Sequence, residues 1–395
     1  MYENFSFKYR HLLIWGDYNL LYLTPMLAIQ SLRFEHFKNY SQGAISLCPQ
    51  VNCFVGKNGA GKTNVLDAVY YLSFTKSFLN GADQQHIQQN NADYFFIEGS
   101  FNRNELEESV RIAVQRGAKK SVRVNNNEHK KLSDHIGLYP LVMIAPNDIM
   151  LIHEGSEERR KFMDGFIAQF DKIYLADLLS YNRVLEQRNK QLKLFAEQQY
   201  MDSTLLQTYN EQLIRYGTSI FLKRKEFMEQ FIPVFCSFYA TISNGNETVD
   251  LQYETDMHTQ SMDELLRLTE RNDLAAQRTT KGIHKDELVF TLNGQPLKKF
   301  GSQGQQKSFI ISLKLAQYEY LKQQTLTKPL LLLDDIFEKL DEHRLNTLLS
   351  MIAHGDFGQL FITDTHLQRL QEVFQKMPLV AVKYFVVDNG SINEI

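Results

Sequence analysis

The chain has 395 residues, with 43 Lys and Arg against 46 Asp and Glu and a formal net charge of −3, which leaves room for two or three domains and a sizeable core. A composition of 43% hydrophobic and 23% charged residues excludes a mainly disordered chain, a collagen-like chain and a disulfide mini-scaffold. Without net positive charge, any nucleic-acid binding must come from a local basic surface.

Cys48, Cys53 and Cys236 include no C-x-x-C pair and read as free thiols in a reducing compartment, not as a zinc site or a disulfide framework. No stretch reaches the roughly 18 apolar residues of a membrane helix. The apolar-looking run over residues 12–27 is broken by Gly16, Asp17, Asn19 and Pro25, a poor signal-peptide core. The expectation is a cytoplasmic protein whose folded part begins near Met26, with residues 1–25 a tail or a misassigned start.

In chain order, residues 27–33 and 43–55 read as strands, the second running into a Gly-rich turn, and residues 62–73 as a helix. Residues 94–101 and 110–124 alternate as strands, the latter folded back near Gly117. From Ser156 the period becomes helical: Ser156 is placed to cap a helix with Glu157 and Glu158 in its first turn. Phe162, Met163, Phe166, Ile167 and Phe170 then fall on one face. Leu178, Tyr181, Leu185 and Leu192 continue that spacing, and a third helix starts near Ser203 with Leu206, Tyr209, Leu213 and Ile220 inward. Strands return at 248–253 and 287–292, a helix at 304–323, and apolar strands at 330–333 and 359–363 that fit a sheet covered on both faces. The chain therefore reads as an α/β core in two sequence halves, 26–155 and 246–395, flanking a helical lobe at 156–245.

Gly56-Lys57-Asn58-Gly59-Ala60-Gly61-Lys62-Thr63 fits G-x-x-x-x-G-K-[ST]. It follows an apolar strand and opens a helix, the context a phosphate loop requires. The glycines let backbone N–H groups turn around a β-phosphate at a helix N-terminus that already favours anions. Lys62 would reach the β- and γ-phosphates, and the Thr63 hydroxyl would coordinate Mg²⁺. Leu330-Leu331-Leu332-Leu333-Asp334-Asp335 is an apolar strand ending in two carboxylates. Asp334 is placed to hold Mg²⁺ through water, and Asp335 to orient or deprotonate an attacking water.

About thirty residues before that strand, Ser302-Gln303-Gly304-Gln305 matches the S-x-G-Q signature of ABC-type ATPases. There the element contacts the γ-phosphate held by a second subunit, so Ser302, Gly304 and Gln305 imply a head-to-tail, ATP-dependent homodimer. Asp341 falls where the dimer-contacting loop of that fold would lie.

The motifs taken in order resemble the RecF family, bacterial recombination mediator ATPases with an SMC-like head. The resemblance runs from Met26 onward. It is carried by the stretch from Leu32 to Tyr40 (LRFEHFKNY), by Pro146-Asn147-Asp148, by Arg159-Arg160-Lys161-Phe162-Met163-Asp164 and by Gln187-Arg188-Asn189. Gly282-Ile283-His284-Lys285-Asp286-Glu287-Leu288, the signature and Leu333-Asp334-Asp335-Ile336-Phe337 complete it. It implies an ABC-type (SMC-like) P-loop NTPase head with an inserted helical arm, binding ATP and Mg²⁺ at residues 56–63 and Asn64. Lys38 and Asn39 fall where the family's early basic residue approaches the nucleotide.

The implied function lies in DNA replication, recombinational repair and SOS induction. ATP-driven dimers clamp single- and double-stranded DNA at gaps or junctions, weak DNA-stimulated hydrolysis acts as a release timer, and RecR and RecO help load RecA. The sequence departs from the family pattern at Phe78-Leu79, Glu338-Lys339 and Asp364-Thr365-His366. His366 has two readings, a γ-phosphate switch or a solvated loop residue.

Seven basic residues, Arg111, Arg116, Lys119, Lys120, Arg123, Lys130 and Lys131, accompany the single acid Glu128 in residues 111–131. They read either as a stripe that neutralises DNA phosphates or as a lysine-protected hairpin edge. Arg159, Arg160 and Lys161 read as a mixed charged face. An ABC transporter ATPase would place its signature closer to the phosphate loop, and an SMC protein needs hundreds of heptad residues where this chain has about 270 in all between its two motifs. A nuclease-fused relative needs a further acidic domain after Asp334. The alternative of a different class is a nucleotide-binding DNA scaffold without productive hydrolysis.

Overall fold

The computed structural model describes residues 27–79, 81–88, 92–103, 105–243, 245, 247–336, 347, 350–352, 356–377 and 379–395. The tail expected at 1–25 and the loop expected at Asp341 lie outside them. The first sheet is formed by β1 (Leu27–Phe37), β2 (Tyr40–Ser46), β4 (Tyr94–Arg103), β5 (Leu106–Gln115), β6 (Ser121–Val124) and β7 (Asn127–Glu128). Its order is β2-β1-β4-β5-β6-β7, antiparallel throughout.

The second sheet has the order β15-β14-β3-β13-β12-β8. These strands are β3 (Val51–Val55), β8 (Leu141–Ile144), β12 (Leu330–Leu333), β13 (Leu360–Asp364), β14 (Val382–Asp388) and β15 (Ser391–Glu394). All pairings are parallel except the terminal hairpin of β14 and β15. A smaller sheet joins β9 (Val249–Glu254), β10 (Glu287–Leu292) and β11 (Gln295–Pro296).

Alternation along the parallel strands divides the core in two. Phe54, Leu141, Met143, Leu330, Leu332 and Phe361 face α1 (Lys62–Phe74), which lies between this sheet and the antiparallel one. Val55, Val142, Ile144, Leu331, Leu333 and Ile362 face the helical side. With both faces covered, every residue of β12 is buried, as a continuous Leu run demands.

The helical side comprises α2 (Met150–His153), α3 (Ser156–Ile167), α4 (Lys172–Gln198), α5 (Ser203–Ser243), α6 (Met262–Ala276), α7 (Leu297–Phe300), α8 (Gln303–Thr325) and α9 (Leu367–Gln375). α4 and α5 pack against each other, and Leu192, Phe195 and Leu206 make a separate small core toward their connecting turn. α8 is buried from Ser308 to Tyr318 and runs under the sheet directly into β12.

Two expectations change. The stretch 43–55 is two strands in different sheets, separated around Pro49, because residues 47–50 leave the antiparallel ladder before β3 joins the parallel one. Ser156 is not a cap: Gly155 holds the N-cap position without a side-chain bond, and Glu157 and Glu158 provide the first-turn charge.

Two histidines, the buried His135 and the half-buried His284, give the fold an acid limit. His135 Nε2 donates to the Leu72 carbonyl of α1 at 2.6 Å. His284 Nε2 donates to the Thr279 carbonyl at 3.1 Å, while its Nδ1 accepts from the Tyr181 hydroxyl at 2.8 Å. Burial lowers both imidazoles from 6.5 to about 4. Below the ordinary histidine pKa the unfolded chain takes up protons that the folded chain refuses, so stability falls between about pH 6.5 and 4, by up to about 1.4 kcal/mol per pH unit for each group. Denaturant midpoints between pH 7 and 4.5 should show this decline, and His135→Gln should flatten it. A level profile in the wild type would refute the assignment.

Candidate nucleotide site

β3 ends at Val55 in the centre of the parallel sheet, and the loop 56–61 leads from it into α1. Gly56 donates its N–H to the Asp364 carbonyl at 3.3 Å, and a Cβ there would stand 2.2 Å from the Val387 carbonyl oxygen. Gly59 and Gly61 have φ of 82° and 114°, backbone that side chains other than glycine's rarely adopt. A Cβ on Gly61 would also meet Asn39 Nδ2 at 2.5 Å.

The Lys62 side chain folds back over the loop, its ammonium donating to the carbonyls of Gly56 at 2.9 Å and Lys57 at 3.3 Å. α1 starts with no side-chain cap and no acid in its first turn. Its first N–H groups, together with Lys62, therefore form a cradle of the right sign for a polyphosphate.

The opposite wall comes from neighbouring strands. β13 separates β3 from β12, so the C-terminal ends of all three meet at the loop. Thr63 Oγ1 donates to the Asp334 carboxylate, lying 2.9 and 3.1 Å from its two oxygens, and Thr363 Oγ1 donates to Asp334 Oδ1 at 2.8 Å. Burial pushes the Asp334 carboxyl upward, against the pull of those two hydroxyls. A hydroxyl that gives its proton to a buried carboxylate keeps its lone pairs for a hard cation, so Thr63 and Asp334 fit a Mg²⁺ ion that would complete the set with waters and phosphate oxygens.

Asp335 adopts φ 46°, a conformation costing of order 1 kcal/mol for a residue with a Cβ. Its N–H donates to Thr363 Oγ1 at 2.9 Å, which holds it there. Its Oδ1 is buried, with no hydrogen-bond partner among the described residues. Such an atom is an acceptor waiting for a donor, as a residue that orients water must be.

The other residues singled out in the sequence separate. Asn39 lies on the loop, its Nδ2 donating to the Ala60 carbonyl at 3.1 Å and its Oδ1 accepting from Asn64 at 2.7 Å. Lys38 turns to the back of α1, where its ammonium is 2.6 Å from the buried Asp67 carboxylate. Ser302 caps α8, and Gln305 reciprocates in a capping box. Gln305 also reaches Glu247, at 2.8 Å. The His366 N–H donates to Asp364 Oδ1 at 2.8 Å, and its side chain is exposed at the start of α9.

The basic stretch is partly structural. Lys120 pairs with Asp83 at 2.6 Å, Arg123 lies 3.7 Å from Glu128, and the Arg111 guanidinium stands 4.3 Å above the Phe96 ring. Lys119, Lys130 and Lys131 remain exposed.

Sequence reasoning missed three contributors. Tyr40 donates its hydroxyl to the Gly61 carbonyl at 3.0 Å. Thr363 is the hinge of the two carboxylates, and Glu247 holds the signature. Only Tyr40 had a signal, as the last residue of a stretch already marked by resemblance.

Two further motifs from that resemblance meet at the foot of the arm, joined by Arg224. Arg224 on α5, 1% exposed, contacts Asp164 Oδ1 at 2.8 Å and Asp286 Oδ2 at 2.7 Å. Arg159 forms a bidentate pair with Glu287, at 2.8 and 2.9 Å, and Arg160 donates to the Asp286 carbonyl at 2.7 Å. Farther along α4, Arg188 donates to Asp273 and Thr279, both at 2.7 Å. Arg159 and Arg160, read as part of a mixed charged face, are thus half-buried in a polar joint between the helical arm and β10, while Lys161 stays exposed beside Glu157 and Glu158.

The sequence model of the RecF/RecN/SMC N-terminal domain matches residues 28–389. The chain is also 46% identical, over 87% of its length and 96% of the relative's, to the DNA replication and repair protein RecF of Flavobacterium johnsoniae. The chain belongs to the RecF family. A RecF of Phocaeicola vulgatus is 42% identical over 93% of this chain and 98% of its own. Among solved structures, the recombination mediator protein RecF with ATP, of the RecFOR pathway, superposes with a TM-score of 0.84 at 28% identity. It covers 94% of this chain and 98% of that one. The Smc head domain of Pyrococcus furiosus superposes with a TM-score of 0.53 at 17% identity, over 94% of this chain and 96% of its own, a likeness of fold alone. The RecF-family fold here is therefore an ABC-type, SMC-like ATPase head.

Proposed function

We propose that this RecF-family protein binds ATP with Mg²⁺, assembles head to tail as a dimer around two nucleotides, and in that state holds DNA during replication and recombinational repair. One observation carries this reading. Residues 56–63, Asp334, Thr363 and Asp335 build one half of a nucleotide site, while Ser302 and Gln305 make their hydrogen bonds with each other and with Glu247. A second copy would bring that signature to the open side.

In this mechanism the loop N–H groups and Lys62 bind the triphosphate, and Lys62 exchanges its carbonyl partners for phosphate oxygens. Mg²⁺ at Thr63 and Asp334 would neutralise charge on the β- and γ-phosphates. Asp335 orients a water through its unpartnered Oδ1 and accepts its proton as the water attacks. Aspartate has a short reach, and a base slightly out of place costs rate steeply, so turnover is slow and times release from DNA. The partners proposed are gapped or junction DNA without sequence preference, RecR, and RecO and RecA downstream. Among the described residues no helix is long and apolar enough to cross a membrane.

Sedimentation with ADP and with a slowly hydrolysed ATP analogue tests the reading, for wild type and for Ser302→Arg, with and without gapped DNA. ATP-dependent dimers on DNA that vanish in the variant are the expected result. Tight DNA binding indifferent to nucleotide and to Ser302 would overturn the clamp and leave the scaffold.

A further inference from the structure

The signature is held by a residue outside it. Ser302 donates its N–H to Gln305 Oε1 at 2.7 Å, and Gln305 returns its N–H to Ser302 Oγ at 3.2 Å. The far end of the same carboxamide, Nε2, donates to Glu247 Oε1 at 2.8 Å. Glu247 lies in the turn between α5 and β9, and its second oxygen accepts from the hydroxyl of Tyr239 on α5.

A carboxamide has one accepting and one donating end, and a half-turn exchanges them. The Ser302 N–H needs the accepting end. An ionised carboxylate accepts only, so Glu247 needs the donating end, and both demands select one orientation of Gln305. In that orientation Ser302 Oγ is occupied as an acceptor, and its proton is directed elsewhere, free to be donated to an anion.

We propose that Glu247 is a positioning residue that fixes the carboxamide of Gln305 and thereby presents the Ser302 hydroxyl proton to a phosphate group bound by a second copy of this chain. The proposal rests on the head-to-tail reading above. Glu247 touches no nucleotide itself. Its anchor, Tyr239, belongs to the long helix of the arm, so the signature keeps its shape only while α5 and the turn after it are in place.

The test is a double-variant cycle on the full chain: Glu247→Ala, Gln305→Ala, both together, and Glu247→Gln. Nucleotide-dependent self-association is measured by sedimentation with the slowly hydrolysed ATP analogue, and nucleotide affinity with a fluorescent ATP analogue at protein concentrations that keep the chain monomeric. Glu247→Ala is expected to weaken assembly about tenfold, the scale of one charge-assisted hydrogen bond, with monomer affinity unchanged. The double variant should be no worse than either single one, because both remove the same lock. Glu247→Gln should recover most of the loss, since its oxygen can accept from Gln305 and its amino group can meet the Tyr239 hydroxyl.

Assembly of Glu247→Ala at the wild-type concentration, multiplicative losses in the double variant, or a loss that tracks thermal stability and monomer affinity together would overturn the proposal. A wild-type chain that stays monomeric with ATP overturns the dimer reading and this inference with it. An assembling wild type with indifferent Glu247 variants overturns this inference alone.

Discussion

Replacing Asp335 by asparagine is expected to lower ATP turnover by a factor on the order of 10²–10⁴, the range for loss of a general base, while ATP binding and ATP-dependent assembly persist. The separation follows from the geometry. In the proposed site Lys62 and the loop amides would hold phosphate from one side, and Thr63 with Asp334 would make the cation position. Asp335 belongs to neither set; its backbone N–H is tied to Thr363 and its Oδ1 is left without a partner. Asparagine keeps the size of the side chain but loses the ability to take a proton. Phosphate release and sedimentation on the same sample measure the two properties. Equal turnover in the variant would remove Asp335 from the chemistry, and loss of binding together with turnover would make it structural.

The second large effect is one of stability. Arg224→Met should cost about 3–5 kcal/mol, the range for stripping one partner from a buried charge network. Asp164 Oδ1 and Asp286 Oδ2 both depend on that guanidinium, which also donates to the Ile283 carbonyl at 2.8 Å. Lysine should not rescue, because one ammonium cannot span three acceptors in a fork.

Burial already pushes the Asp286 carboxyl upward while Arg224 pulls it down. Without Arg224 it rises further, so Asp286 is neutral over a wider range in the folded variant than in the unfolded one. The penalty therefore grows as pH rises above the ordinary aspartate value of about 4. Urea denaturation of both proteins across that range checks size and slope. A loss below about 1 kcal/mol would mean that desolvation of the three ions cancels their attraction.

How much was legible beforehand depended on whether the chemistry is contiguous. The loop 56–63 was legible because a polyphosphate cradle needs glycines, a lysine and a hydroxyl within eight residues, and Asp334-Asp335 because two carboxylates end an apolar strand of the sheet that carries that loop. β8 was not marked, since five apolar residues between prolines carry no alternation, and β14, β15 and α6 went unmarked as well. The joint of Arg159, Asp164, Arg188, Arg224 and Asp286 could not be read as a unit. Its members are up to 127 residues apart, and each alone looks like a surface charge. Lys38 was placed by the resemblance alone, and its ion pair with the buried Asp67 carboxylate of α1 had no signal in the sequence.

α8 has 23 residues, a rod of roughly 34 Å, with Ser302 at its first turn and Asp334 at the end of the strand that follows it. Buried without a break from Ser308 to Tyr318, such a rod shifts whole more readily than it bends. In the proposed head-to-tail dimer, what the far subunit's phosphate does to the first turn would therefore be felt at the subunit's own carboxylates as a change of lever position. Two ATP sites linked by two such levers would answer as one unit, and a DNA-bound pair would let go of its load as a pair.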